Sequence, residues 1–278
     1  MLLIACMRRT LCLLGLTMGL WGCIEQVDNP AQGIFGPEVK EVALEVDYQA
    51  GAEPWTGPLL GHGRAWDLLV LNIAALFEKG PSRRLAIPTA LEHMQPIAPA
   101  PADSFSRAEI WDIAQQYRDD NSTTERRVLY VVFLDGYLRE DGEQRPEILG
   151  ISLRDRGVIA MFSPVMRATS KLSEQTALIH ELGHALGLVN IGLDMISPHY
   201  DNTNGPHCDN TDCVMFRVNR DSAMKSLYLG KLNHGKQPVL FCDQCMMDAE
   251  SAMYQECLPT PPAHPGQLSA ASATTGAP

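Results

Sequence analysis

HELGHALGLVN, from His180 to Asn190, is the stretch on which the reading of this chain turns. At 3.6 residues per turn, His180 and His184 project from one helical face, one turn apart, and both reach a single ion. Glu181 stands about 100° further round the helix, wrongly placed for a ligand but within reach of a water beside that ion. The surrounding residues favour a helix. Ser170 and Ser173 offer N-caps, Leu178, Leu182, Leu186 and Val189 recur at helical spacing, and Gly187 supplies a stop. A hydrolytic zinc site needs three protein ligands and one open position. Asn190 does not supply the third, because an amide oxygen is a weak, neutral zinc ligand.

Further ligand-type residues follow downstream: His207 and Cys208, then Cys213 and Met215, then Cys242 and Cys245. The C-x4-C and C-x-x-C spacings suit a closed tetrahedral thiolate site. In an oxidising compartment the same spacings permit disulfides, Cys208–Cys213 and Cys242–Cys245, and spacing leaves both open. The third imidazole is either His207 or His199, the latter with Asp201 nearby to orient its ring.

These residues resemble the archaemetzincin branch of the metzincin zinc proteases, which carry H-E-x-x-H-x-x-G-x-x-H-C-x4-C-x-M and then C-x-x-C. Here 16 residues, Ile191 to Pro206, stand inserted after Asn190. The chain is also similar to bacterial lipoprotein-type metalloproteases with the same asparagine and insertion. The resemblance implies an α+β, zincin-like fold in which a twisted mixed sheet carries the active-site helix. A smaller C-terminal lobe would be stapled by zinc or disulfides. It also implies a zinc-dependent peptidase acting on a peptide or protein, with Glu181 as general base. His180, His184 and His207 would hold the catalytic zinc, Met215 would form the Met-turn beneath it, and Cys208, Cys213, Cys242 and Cys245 would hold a structural zinc. Lengthening the chain between the second and third imidazoles from 6 to 23 residues costs roughly 1 kcal/mol of closure entropy. That is small beside the free energy of a zinc site. The inserted residues, rich in turn formers, read as a surface excursion.

The ends of the chain carry separate signals. Arg8 and Arg9 precede an uncharged apolar stretch, Leu11 to Leu20, that is too short to span a bilayer. Leu20-Trp21-Gly22-Cys23 resembles a bacterial lipobox, which makes residues 1–22 a signal peptide and Cys23 the lipidated N-terminus. Ordinary secretion and an uncleaved anchor are the alternatives. The expectation is an exported, membrane-anchored lipoprotein, periplasmic or at the cell surface. Residues 23–37 form its tether and 38–257 the metalloprotease domain, with lobes at 38–189 and 190–257. Residues 258–278 contain no Asp, Glu, Lys or Arg and read as a disordered tail. Cys6 and Cys12 would leave with the signal, and Cys257 is left over. The formal charge of −11, or −13 without Arg8 and Arg9, argues against nucleic acid as a partner.

Between these ends, strands are expected at Val39–Tyr48, Leu85–Ile87, Val128–Leu134, Ile148–Leu153 and Val158–Phe162. Helices are expected at Trp66–Lys79 and at Phe105–Arg118, the second capped by Asp103 or Ser104. The four-proline stretch Pro88–Pro101 reads as a loop or linker. Met246, Met247 and Met253, near a final helix, read as packing. Val158–Phe162 is a candidate edge strand, able to add a peptide beside the metal, and a further core strand is the alternative. Two other functions fit the same residues: a non-catalytic zinc-binding surface lipoprotein, and a zinc amidase acting on cell-wall amides.

Overall fold

A run as apolar as VLYVVFL (128–134) is stable as a strand only if both of its faces are covered, and both are. The computed structural model describes residues 31, 33–100, 102–217, 221–233 and 237–255. The signal segment, Cys23, most of the tether, Cys257 and the tail lie outside them. In chain order the elements are β1 (Glu41–Gln49), α1 (Ala65–Phe77), β2 (Arg84–Ala86), β3 (Gln95–Ile97), β4 (Ser104–Phe105), α2 (Arg107–Tyr117) and β5 (Arg126–Leu134). There follow β6 (Tyr137–Glu140), β7 (Glu143–Arg145), β8 (Gly150–Leu153), β9 (Val158–Phe162), α3 (Ser163–Arg167), α4 (Lys171–Ala185), α5 (Asp221–Asn233) and α6 (Asp243–Gln255). Among the described residues no helix is long and apolar enough to cross a membrane.

The fold is a mixed sheet with helices on both faces. Its order is β2-β1-β5-β9-β8, with β3 pairing β1 beyond the end of β2. All its pairings are parallel except β8 with β9. Residue alternation assigns the two faces. Leu129, Val131, Phe133, Ile159 and Met161 pack in one core with residues of α1 and α4. Tyr130, Val132, Leu134, Val158, Ala160 and Phe162 pack in the other with Ile110 and Ala114 of α2. Each fully buried side chain of this size contributes about 1.5–3 kcal/mol of transfer free energy, so β5 and β9 anchor both layers.

The edge next to α4 is not Val158–Phe162. That strand lies between β5 and β8, buried at every position, so the core alternative holds and β8 takes the edge. Gly157, with φ of 59°, lets the chain double back antiparallel after a short turn at Arg154–Arg156. Two other expectations shift. The cap of α2 is Ser106, whose hydroxyl accepts from the Glu109 N–H while the Glu109 carboxylate accepts from the Ser106 N–H. Pro88–Pro101 contains β3 and a short helical turn at Leu91–His93 rather than loop alone. A small second sheet, β4-β6-β7, had no counterpart in the sequence reading.

The histidine-bearing helix α4 begins at Ser170, whose side chain accepts from the Ser173 N–H at 3.2 Å. It ends at Gly187, where the N–H groups of Gly187 and Leu188 reach back to the carbonyls of His184 and Gly183. Gly187 has φ of 90°, which its lack of a Cβ allows. Val189 and Asn190 then hold φ of 59° and 58°, a left-handed turn that a β-branched residue rarely adopts. That turn sends the chain away from the helix axis.

Candidate metal centres

Helix periodicity places His180 and His184 together, and the turn after α4 with the loop that follows brings His207 to them. One ring nitrogen of each lies within 4.8 Å of those of the others. The ring centroids are 4.6 Å apart for His180–His184, 5.3 Å for His180–His207 and 5.1 Å for His184–His207. Backbone carbonyls orient two of the rings. His180 Nδ1–H donates to the Val214 carbonyl at 2.7 Å, and His207 Nδ1–H to that of Asn204 at 3.2 Å, which frees both Nε2 atoms. His184 Nε2 lies 3.0 Å from His180 Nε2, while its buried Nδ1 has no partner among the described residues.

That contact tests the fit of an ion. With its proton on Nδ1, His180 offers only a lone pair at Nε2, directed at His184. His184 Nε2–H can donate to that lone pair; with the His184 proton on Nδ1 instead, two imidazole lone pairs would converge and suit one cation between them. Tetrahedral zinc with Zn–N near 2.0–2.1 Å sets ligand nitrogens about 3.3–3.4 Å apart, within a few tenths of the distance found. All three rings are held neutral, the form that binds metal. Burial pulls His180 down to about 4 against the Val214 hydrogen bond. Burial, then repulsion from the charge that His180 or His207 would carry if protonated, pulls His184 to about 2, and burial lowers His207 as well.

Glu181 is half-buried beneath β8, where a Cβ added at Gly150 would lie 3.2 Å from its Cγ. Burial raises its carboxyl to about 8, opposed by the charge of Arg107 and a hydrogen bond from the Ser152 backbone. A dication at the imidazoles would favour the carboxylate again. Met215 is fully buried against Gly183, where even a Cβ would meet its sulfur and Phe241. Asn190 is exposed.

The four cysteines form a second group, with all four sulfurs within 4.8 Å of one another and fully or almost fully buried. They are free thiols, so neither Cys208–Cys213 nor Cys242–Cys245 is a disulfide. Cys208–Cys242 and Cys213–Cys245 are each 3.7 Å apart. Tetrahedral zinc with Zn–S near 2.3 Å sets sulfurs about 3.8 Å apart, so the donor set fits that ion. Hydrogen bonding inside the cluster holds Cys208 and Cys242 below the usual thiol range and Cys213 and Cys245 above it. The bond with Cys213 weighs most for Cys208, and the bond with Cys208 for the other three.

His199, the rival third ligand, lies elsewhere. It is fully buried beside the sulfurs, with Nε2 at 2.7 Å from Asp248 and Nδ1 at 3.3 Å from Cys208 Sγ. Its carboxylate partner is therefore Asp248 and not Asp201, which instead closes the turn at Thr203 and Asn204. Asp248, the Val214 carbonyl and Gly183 were missed from the sequence. Only Asp248 left a trace there, three residues after Cys245 and so on the same face of α6.

No family model matches the chain, and no curated protein matches it. Among solved structures, archaemetzincin from Methanopyrus kandleri is 14% identical with a TM-score of 0.41, the match covering 78% of this chain and 97% of that one. Archaemetzincin from Archaeoglobus fulgidus, complexed with malonate, is 13% identical with a TM-score of 0.38, covering 75% and 99%. The likeness to archaemetzincins is weak. The chain has a mixed α+β fold with two clusters, one of three histidines and one of four cysteines, that can each hold a metal ion.

Proposed function

We propose that the chain is a zinc-dependent peptidase that hydrolyses peptide bonds with Glu181 as general base. The observation that carries this reading is the convergence of three neutral imidazoles, from His180, His184 and His207, with a carboxylate one residue from the first. The three histidines would hold zinc through the nitrogens that their carbonyl partners leave free. When bound there, zinc supplies Lewis acidity at neutral pH, polarising a carbonyl oxygen and acidifying water. A Glu181 carboxylate oxygen takes the proton of the attacking water and passes it to the departing amine nitrogen. The Val214 and Asn204 carbonyls keep His180 and His207 turned toward the site. Among the described residues β8 pairs on one side only, with β9, so its other edge offers backbone groups to an extended peptide beside Glu181. Cys208, Cys213, Cys242 and Cys245 would hold a second, structural zinc. On the sequence of residues 8–23 alone, export and lipid attachment at Cys23 belong to the same proposal.

Mass spectrometry of products from a mixed peptide library and from peptidoglycan fragments tests the activity. The wild type should cleave peptides, and Glu181→Gln should keep its zinc and lose turnover by at least about 100-fold. Cleavage of peptidoglycan amides alone would make the chain an amidase, and cleavage of neither would make it a binding protein. Peptide cleavage by Glu181→Gln at the wild-type rate would remove Glu181 from the mechanism.

A further inference from the structure

The inserted stretch between the second and third imidazoles does more than cross the surface. Its His199 is completely buried, and the ring bridges two elements that are distant in sequence. On one side, Asp248 of α6 lies 2.7 Å from Nε2, and its other carboxylate oxygen accepts from the Ile196 N–H at 2.8 Å. A buried carboxylate with both oxygens engaged has a fixed orientation, and it fixes the imidazole in turn. On the other side, Nδ1 lies 3.3 Å from Cys208 Sγ and 4.0 Å from Cys245 Sγ. The backbone repeats the connection: the Asp209 N–H donates to the His199 carbonyl at 2.9 Å, and Tyr200 pairs with Cys208 as an isolated bridge.

We propose that His199, oriented by Asp248, is the positioning residue of the four-cysteine metal site, bonded through Nδ1 to the Cys208 sulfur. The inference rests on the reading that these cysteines hold a metal ion. Cys208 is completely buried, which rules out a nucleophilic thiol driven by an Asp–His pair, since no substrate reaches a sulfur with no exposed surface. A hydrogen bond to a metal-bound sulfur withdraws charge from it and makes it a poorer target for oxidants. Cys208 is also the neighbour of His207, so the ring that steadies its sulfur steadies the backbone carrying the third imidazole.

The test uses the full chain loaded with 113Cd. An imidazole N–H of His199 should show scalar coupling to the tetrathiolate 113Cd resonance, because coupling of that kind passes through an N–H···S–metal bond. The signal should be absent from His199→Phe. With zinc in both sites, His199→Phe should hold the thiolate zinc about tenfold more weakly, the usual scale for loss of an outer hydrogen bond to a ligand, and should release it faster to a chromophoric chelator when peroxide is added. His199→Asn, which keeps an N–H donor near the Nδ1 position, should fall between the two. Two bound ions with no His199 coupling in the wild type would overturn the proposal, whatever the variants do. A chain that binds one ion, at imidazole alone, would overturn the four-cysteine reading and this proposal together, while leaving the three-histidine site standing.

Discussion

Replacing Gly183 with alanine sets two effects of opposite sign against each other inside the active-site helix. In a helix interior alanine is favoured over glycine by about 1 kcal/mol. At this position the new methyl would meet Met215 Sδ, with Met215 Cε at 3.2 Å and Phe241 Cε1 at 3.3 Å. All three residues are buried, so nothing nearby is free to give way into solvent. Overpacking of this kind costs about 1–3 kcal/mol, and a flexible thioether keeps it near the middle of that range. The net expectation is a loss of about 1 kcal/mol for Gly183→Ala. Met215→Ala alone should lose about 2–5 kcal/mol by leaving a cavity. In the double variant the clash is gone and the added methyl fills part of that cavity, so the two changes should couple favourably by about 2 kcal/mol. Equilibrium urea unfolding of the four zinc-loaded proteins, with a shared denaturant slope, measures the cycle. Additivity within about 0.5 kcal/mol would refute the packing of Met215 on Gly183.

Three further outcomes are expected. Asp47 is buried, its Oδ2 accepts from the Tyr130 hydroxyl at 2.6 Å, and its Oδ1 has no partner among the described residues. Burial raises its carboxyl from 3.8 to about 6, against the Tyr130 bond. The folded protein thus holds this proton more tightly than the unfolded chain, and the stability it contributes is complete below the unfolded value and lost as pH rises toward 6. Asp47→Asn should therefore gain up to about 3 kcal/mol over wild type at pH 7.5 and little near pH 4, read from thermal melts; a variant less stable than wild type at pH 7.5 would contradict this. His207→Ala should lower zinc occupancy of the imidazole site, whereas His199→Ala should leave that site filled; metal analysis with the opposite pattern would exchange their roles. Cys23→Ser should abolish incorporation of radiolabelled palmitate in a bacterial host, and continued labelling would remove Cys23 as the acylated residue.

The parts of the molecule that were legible were those written in local spacing. Ser170, the leucines and Gly187 mark α4 because capping and periodicity operate within a few residues. The core strand at 128–134 was visible because a seven-residue apolar run has few other uses. Val158–Phe162 was readable as buried but not as central, since VIAMF carries no sign of which neighbours flank it. The interrupted pattern of Gly150–Leu153, half-buried toward its end, belongs to the true edge. The β6–β7 hairpin does carry a local signal: Asp141-Gly142, with φ of 54° and 82°, is a turn pair that pins such hairpins. The Ser106-x-x-Glu109 box was likewise present in the sequence. The surroundings of His199, the rival ligand, were hidden for a different reason. Its partner is 49 residues away, and only the packing of α6 against the inserted loop reveals that Asp248 faces it. The motif through Cys208 pointed to His207 as the third imidazole, while the surroundings of His199 depend on tertiary structure.

Zinc content of the folded wild-type chain beside that of His184→Ala, determined by elemental mass spectrometry, bears most directly on the account. Two ions per chain in the wild type and one in the variant, with thiolate-to-cobalt absorption preserved on cobalt substitution, is the predicted result. A wild-type chain without transition metal, or a variant that keeps both ions, would contradict the three-imidazole centre on which the proposed function depends.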